Sequence, residues 1–314
     1  MKEQTQIQSS VYCYGEVLWD IFPDGARAGG APFNVAYNLT QMGINAHMIS
    51  RIGNDKLGSD LMKQLTDWNI ATENTQTDFL YPTGTVIANI DEHNEAHYEI
   101  IEPVAWDFIE FRDDYRNKIK TAAAFVFGSL ITRGEVSRNT LFELLEIAEF
   151  KVFDVNLRPP FYSLPVLKVL LFKADLVKMN KAELRLILDF LSKDYSTEDD
   201  SIRYIQDTFN IKEVLISKGS KGAIYYNGDN HYSATAVPVT IADTVGSGDA
   251  FLAGFLSKRI QHSNPEEIMK QATALGGFIT SKEGACPSYT LKDFEDFRKE
   301  NELVPATLIN NATI

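Results

Sequence analysis

The stretch Leu176-Val177-Lys178-Met179 leads into the helical patterns Lys181–Leu191 and Thr197–Phe209, and these lead into Glu213-Val214-Leu215-Ile216-Ser217. Short apolar runs separated by helical segments are the signature of parallel strands joined by crossover helices, because such strands are buried on both faces. The same alternation extends outward. Ser10–Val17, Ala46–Ile52, Ala122–Phe127 and Lys151–Val155 read as further strands, and Phe33–Gln41, Lys56–Trp68 and Glu135–Ala148 as further helices. Phe33–Gln41 sets Val35, Leu39 and the following Met42 on one stripe. Ser247–Arg259 and Pro265–Lys282 close the chain as two helices, the second opened by Pro265 near its first turn. Gly84–Ile90 and Glu95–Ile101 interrupt the alternation: two β-branched, aromatic-rich runs around the polar turn Asp91-Glu92-His93-Asn94 predict an inserted hairpin. It is either a covering element over part of the main sheet or an ordinary surface hairpin.

The 314 residues carry 30 Lys+Arg and 43 Asp+Glu, a formal charge of −13. That balance argues against nucleic acid or an anionic membrane as partner, since both need clustered cations. It leaves room for a small anion site built from backbone N–H groups at a helix N-terminus. Cys13 and Cys286 lie far apart with no CxxC spacing, as expected of free thiols in a reducing compartment. The polar start Met1–Gln6 and the lack of a long apolar run predict a cytoplasmic protein. Asn311-Ala312-Thr313 reads as an accidental sequon.

The densest chemical signal is Asp243-Thr244-Val245-Gly246-Ser247-Gly248-Asp249, followed by the apolar helical run Ala250–Leu256. Two glycines one residue apart allow a tight turn whose N–H groups share a concavity, and the helix adds its positive dipole end. Asp249 in the first helical turn is placed to take a proton from an attacking hydroxyl; a plain helix cap is the alternative. A second cluster, Gly29-Gly30-Ala31-Pro32-Phe33-Asn34, permits close backbone approach to a ligand, with Asn34 as donor and acceptor or as a helix-start residue. Asp20 follows the first strand, at the sheet edge where open α/β proteins bind ligands, or else in a solvated loop. No GxxxxGK[ST], GxGxxG after the first strand, HExxH or GxSxG occurs.

Taken together, the Gly29–Asn34 and Asp243–Asp249 segments resemble the two signature regions of the ribokinase-like (PfkB) carbohydrate kinase family. The resemblance runs from about residue 10 to 290 and includes Asp154-Val155-Asn156-Leu157-Arg158, Asn180-Lys181-Ala182-Glu183 and Ser217-Lys218-Gly219-Ser220-Lys221-Gly222 in order. It implies a single domain over 1–314, a three-layer α/β/α sandwich with a mostly parallel central sheet. Elements near 18–32 and 81–103 would form a small β-sheet lid that also offers a homodimer contact. It implies ATP and a small-molecule sugar as partners. Asp249 would be the base, Gly246, Ser247 and Gly248 the anion hole, and Arg158 a phosphate contact, or else a surface ion-pair member. Asp20, Gly29, Gly30 and Asn34 would hold the sugar. Asn180 and Glu183 would organise Mg²⁺ through water, although Glu183 also has capping-box spacing. Ser217, Gly219 and Gly222 would lie along the nucleotide, and Asp243 would hold an activating monovalent cation, K⁺.

Leu157-Arg158-Pro159-Pro160-Phe161 and Gly128-Ser129-Leu130 are similar to fructokinase members, and Ala31 stands where ribose-specific relatives usually carry Lys. A departure is Ile100-Ile101-Glu102-Pro103, where many fructokinases carry an Arg before the proline. The reading is an ATP-dependent fructokinase. Its alternatives are a kinase for ribose, a nucleoside or 2-keto-3-deoxygluconate, or a non-catalytic sensor of the same fold.

Overall fold

The computed structural model describes residues 10–90, 96–301 and 307–309. The chain opens with β1 (Ser10–Tyr14), β2 (Leu18–Phe22), β3 (Gly25–Gly29), α1 (Ala31–Gln41), β4 (Asn45–Gly53), α2 (Lys56–Asp67) and β5 (Thr75–Asp78). The inserted strands β6 (Gly84–Ile90) and β7 (Ala96–Ile100) follow, then α3 (Tyr115–Lys120), β8 (Ala124–Gly128), α4 (Glu135–Leu145) and β9 (Lys151–Asp154). Next come α5 (Leu164–Lys173), β10 (Leu176–Asn180), α6 (Lys181–Phe190), α7 (Glu198–Phe209), β11 (Glu213–Ser217), β12 (Ala223–Asn227) and β13 (Asn230–Ala234). The last elements are α8 (Ser247–Arg259), α9 (Pro265–Thr280), α10 (Leu291–Glu300) and β14 (Thr307–Ile309).

The large sheet has the order β14-β13-β12-β11-β10-β9-β8-β1-β4-β5. The pairs from β11 across to β5 are parallel, and the pairs from β11 out to β14 are antiparallel. Alternate residues of each parallel strand enter different cores. Val11, Cys13, Val126, Val152 and Leu215 face a layer that includes α1, α8 and α9, while Tyr12, Tyr14, Phe125, Phe127, Phe153 and Val214 face α3 to α7. This two-sided burial explains why the strands read as unbroken apolar runs. α8 is buried along most of its length, from Asp249 to Ser257. It approaches α9 closely at Gly254, where a Cβ would come 2.9 Å from the Gln271 carbonyl oxygen.

Strand order runs from β1 through β4 to β5 on one side and from β8 through β9 and β10 to β11 on the other. The reversal between β1 and β8 opens a crevice at the carboxyl ends of the strands, the usual ligand position in an open α/β sheet. A second, smaller sheet, β3-β2-β6-β7, stands apart from the large one, as expected. Its β6 and β7 pair antiparallel from Val86↔Ile100 to Ile90↔Ala96. The hairpin is therefore present, while its turn at Asp91–Asn94 lies outside the described residues.

Several boundaries differ from the sequence reading. The expected strand Ser10–Val17 stops at Tyr14 because Gly15, at φ 148, turns the chain out of the large sheet, and Leu18 starts the smaller one. The helix expected over Glu135–Ala148 ends at Leu145, and that over Pro265–Lys282 ends at Thr280. The strand expected over Ala122–Phe127 runs from Ala124 to Gly128. Among the described residues no helix is long and apolar enough to cross a membrane.

Candidate active site

The segment before α8 makes the turn that the two glycines foretell. Gly246 is at φ 74, a left-handed conformation that costs an L side chain about 1–2 kcal/mol. A Cβ there would also lie 2.5 Å from the Ala285 Cβ and 2.6 Å from its Cα. Asp243 clamps the loop from both sides, with Oδ1 accepting the Val245 N–H at 2.9 Å and Oδ2 accepting the Gly284 N–H at 3.0 Å. Within the turn, the Ala250 N–H donates to the Gly246 carbonyl, and the Ser247 N–H makes a long bond of 3.3 Å to the Thr244 carbonyl. The Ser247 hydroxyl is engaged with Thr280 at 2.8 Å. Among the described residues no acceptor takes the N–H groups of Gly246, Gly248 or Asp249. With the positive end of α8 behind them, these three are free to receive an anion, a cradle the Ser247 hydroxyl bond to Thr280 helps to shape.

Asp249 stands at this cradle, 9% exposed. Its Oδ2 accepts from Asn34 Nδ2 at 2.8 Å, which leaves Oδ1 without a hydrogen bond among the described residues. The Cys286 thiol donates to Asn34 Oδ1 at 3.3 Å, fixing which way that amide faces. Burial raises the Asp249 pKa from 3.8 to about 6. Lys178 opposes that rise, Asp154 adds to it, and Asn34 and Arg158 oppose it. A base with a pKa close to neutral is well matched to accepting a hydroxyl proton.

Asp20, on β2, pairs in register with Arg27 on β3. A side chain at Gly29 would strike Asp20 Oδ2, so the glycine leaves that carboxylate room to face the crevice. Burial pushes Asp20 up to about 6, against the pull of Arg158 and then Arg27. Gly30 lies directly over the Glu16 carbonyl oxygen. Two residues escaped the sequence reading here. Glu16, at the exit of β1, is buried; its Oε1 accepts the Ala31 N–H at 3.2 Å, its Oε2 has no partner among the described residues, and burial raises its pKa to about 7. The other is Arg27, a basic residue of the smaller sheet whose charge reaches Asp20.

Arg158 is exposed, bonds only the Leu157 carbonyl, and forms no ion pair among the described residues. Its charge nevertheless acts on Glu16, Asp20 and Asp249. Asn156, two residues earlier, is at φ 35, a turn Asn tolerates better than most residues. Glu183 holds this loop from the far side. Its Oε1 accepts the Leu157 N–H at 3.0 Å, and its Oε2 accepts the Asn180 N–H at 2.8 Å. Asn180 Oδ1 in turn caps α6 through Ala182 and Glu183, so the Asn180–Glu183 spacing does make a capping box. Glu183 is raised above its ordinary pKa by burial, with Asp154 adding to the rise.

Ser217 ends β11 in register with Asn180. Gly219, at φ 56, faces open space, whereas a side chain at Gly222 would collide with the Ala234 carbonyl. Gly222 thus belongs to the packing of β12 on β13. The sequence reading also missed Lys178, a lone cation within the apolar strand β10, bonded to both oxygens of Asp154 at 2.9 and 2.8 Å. Its position inside an otherwise apolar run was the available signal.

Residues 10–291 match the profile of the pfkB family carbohydrate kinases. A fructokinase of Klebsiella pneumoniae is 27% identical over 319 residues, covering 91% of this chain and 98% of its own. Among solved structures, the fructokinase of Xylella fastidiosa with bound ATP superposes with a TM-score of 0.85 at 21% identity, covering 94% of this chain and 100% of that one. A double mutant of the Vibrio cholerae fructokinase, with fructose, ADP and potassium ion bound, gives 0.79 at 23% identity over 92% of this chain and 98% of its own.

Proposed function

The chain belongs to the pfkB family of carbohydrate kinases, and on that premise we propose that it transfers the γ-phosphoryl group of ATP to a primary hydroxyl of fructose. The observation that carries this reading is the Asn34–Asp249 bond beside three unpartnered N–H groups at the start of α8. A carboxylate for the hydroxyl proton and a cradle for the phosphoryl charge then stand together. The hydroxyl oxygen forms a bond to the γ-phosphorus as its proton passes to Asp249, and the bond to the β–γ bridging oxygen breaks to release ADP. The N–H groups of Gly246, Gly248 and Asp249 receive the phosphoryl oxygens, and Arg158, whose charge reaches Asp249, adds a contact to the transferring group. Asp20, Gly29, Gly30 and Asn34 hold the sugar, and Ser217 and Gly219 border the nucleotide.

Glu16, Asp20, Glu183 and Asp249, all with pKa values raised by burial, bring an excess of carboxylates to the crevice. Among the described residues no three acidic, His or Cys side chains stand together as a cage for a metal ion, which suits Mg²⁺ held mostly by its own waters and the substrate phosphates. Asn180 and Glu183 would hold Mg²⁺ through water, where it supplies charge compensation to the phosphates. Asp243, tying its loop to Gly284, would hold K⁺. The same excess of carboxylates favours a neutral sugar over a sugar acid. Fructose is further supported by the fructokinases to which the chain is similar. Cytoplasmic localisation and a homodimer through the lid sheet belong to the same proposal.

An ADP-release screen over fructose, glucose, ribose, tagatose, 2-keto-3-deoxygluconate and nucleosides, with and without K⁺, tests the assignment. Fructose is expected to give the highest kcat/KM, increased by K⁺; a higher value for any other acceptor rejects fructose. Arg158→Ala is expected to lower kcat by about 10²-fold with little change in fructose KM, since its contact is to the transferring group. A rise in sugar KM at unchanged kcat would instead make Arg158 a sugar ligand. The kcat/KM profile should fall below about pH 6, where Asp249 takes up a proton and ceases to act as base. An acidic limb near pH 4 would rule out the buried carboxylate as the titrating group.

A further inference from the structure

A buried ion pair is costly to assemble, and an apolar pair of similar volume often serves the fold as well, so its position invites a reason. Lys178 and Asp154 are 7% and 3% exposed and face each other in register across β10 and β9. The Lys178 ammonium places two of its three N–H groups on the Asp154 carboxylate. It also lies close against the phosphate cradle, because a Cβ on Gly248 would come 3.2 Å from its Nζ. Three carboxylates surround it: Asp154 on β9, Asp249 on α8 and Glu183 on α6. One buried cation thus stands between the base and the residues assigned to the nucleotide side.

We propose that Lys178 is a positioning residue for phosphoryl transfer: Asp154 pins its ammonium beside Gly248, where its charge supports both Asp249 and the oxygens received by the turn. This rests on the phosphotransferase reading and adds to it a cation that the glycine turn by itself does not supply. A fixed charge held before reaction stabilises developing negative charge without reorganising. Of the charges acting on Asp249, that of Lys178 is the largest and opposes the effect of burial. The others that reach it are Asp154 from β9 and Arg158 from the loop after β9, with the Cys286 thiol from the loop after α9 and Glu16 from the end of β1. Asn34 from α1 adds a neutral donor.

The test is Lys178→Met, similar in length and without charge, assayed for kcat, fructose KM and the pH dependence of kcat/KM. The expected result is a kcat lower by about 10²-fold, a fructose KM within about threefold, and an acidic limb displaced to higher pH by about one unit. A kcat within threefold of wild type, or a loss with an unmoved pH limb, overturns the proposal. If the single variant does not fold, the comparison becomes Asp154→Asn/Lys178→Met against Asp154→Asn alone. A further loss of kcat in the double variant supports the assignment, and equal rates overturn it. Asp249→Asn run in parallel keeps the two readings apart: normal turnover there refutes the base, while the kcat comparison at Lys178 still stands.

Discussion

Asp249→Asn should lower kcat by about 10³-fold or more while leaving fructose and ATP dissociation constants within a few-fold of wild type. Asn keeps the shape of Asp249 and can still accept from Asn34 Nδ2, so the sugar pocket stays formed. It cannot accept the hydroxyl proton, and a positioned general base typically accounts for a factor of about 10²–10⁴. Burial raises the Asp249 pKa above its unfolded value, so the ionised carboxylate weakens the fold at neutral pH. The stability this group contributes is complete below about pH 4 and is lost as pH rises through about 6. The Asn variant is therefore expected to melt no lower than wild type at pH 7.5, by differential scanning calorimetry. A variant that keeps near-normal kcat, or loses activity only because it unfolds, would contradict the assigned role.

The second large effect is at Gly246. Alanine there must take up φ near 74 with its Cβ against Ala285, whose Cβ and Cα would be 2.5 and 2.6 Å away. The backbone has to move, and the displaced atoms are those that aim the Gly246, Gly248 and Asp249 N–H groups. We expect kcat to fall by about 10²-fold, comparable to losing one donor of an oxyanion hole, and Tm to fall by several degrees. Gly228→Ala, in the turn between β12 and β13, is a useful contrast, since Gly228 too has a positive φ, 56, but a Cβ there meets nothing within 4 Å. It should lose stability without a matching loss of kcat. Equal kcat losses in the two variants would argue that strain, not cradle geometry, limits turnover.

Much of this architecture is legible in the chain because the governing forces are local. Strands such as Glu213–Ser217 stand out because both faces are buried, and Gly246 and Gly248 because few other residues can make that turn. Leu164–Lys173 was not recognised as a helix because it is apolar nearly all round, so no periodicity marks it. The antiparallel edge from β12 to β14 carries mixed polar strands, such as Asn230–Ala234, that resemble loops. At the site, the signature residues stand out in the chain, but their long-range partners do not. Glu16 with Ala31, Lys178 with Asp154 and Cys286 with Asn34 are pairings made by the tertiary fold. Glu183 shows the reverse case: its capping role could be read locally, while its bond to the loop of Arg158 could not.

The most direct measurement is ³¹P NMR of the purified wild-type protein with equimolar ATP and fructose, Mg²⁺ and K⁺, followed to completion. The account predicts loss of the γ-phosphate resonance with matching growth of ADP and of one sugar phosphomonoester, and no such product with Asp249→Asn on the same timescale. ATP left intact despite fructose binding, or inorganic phosphate as the sole product, would contradict it.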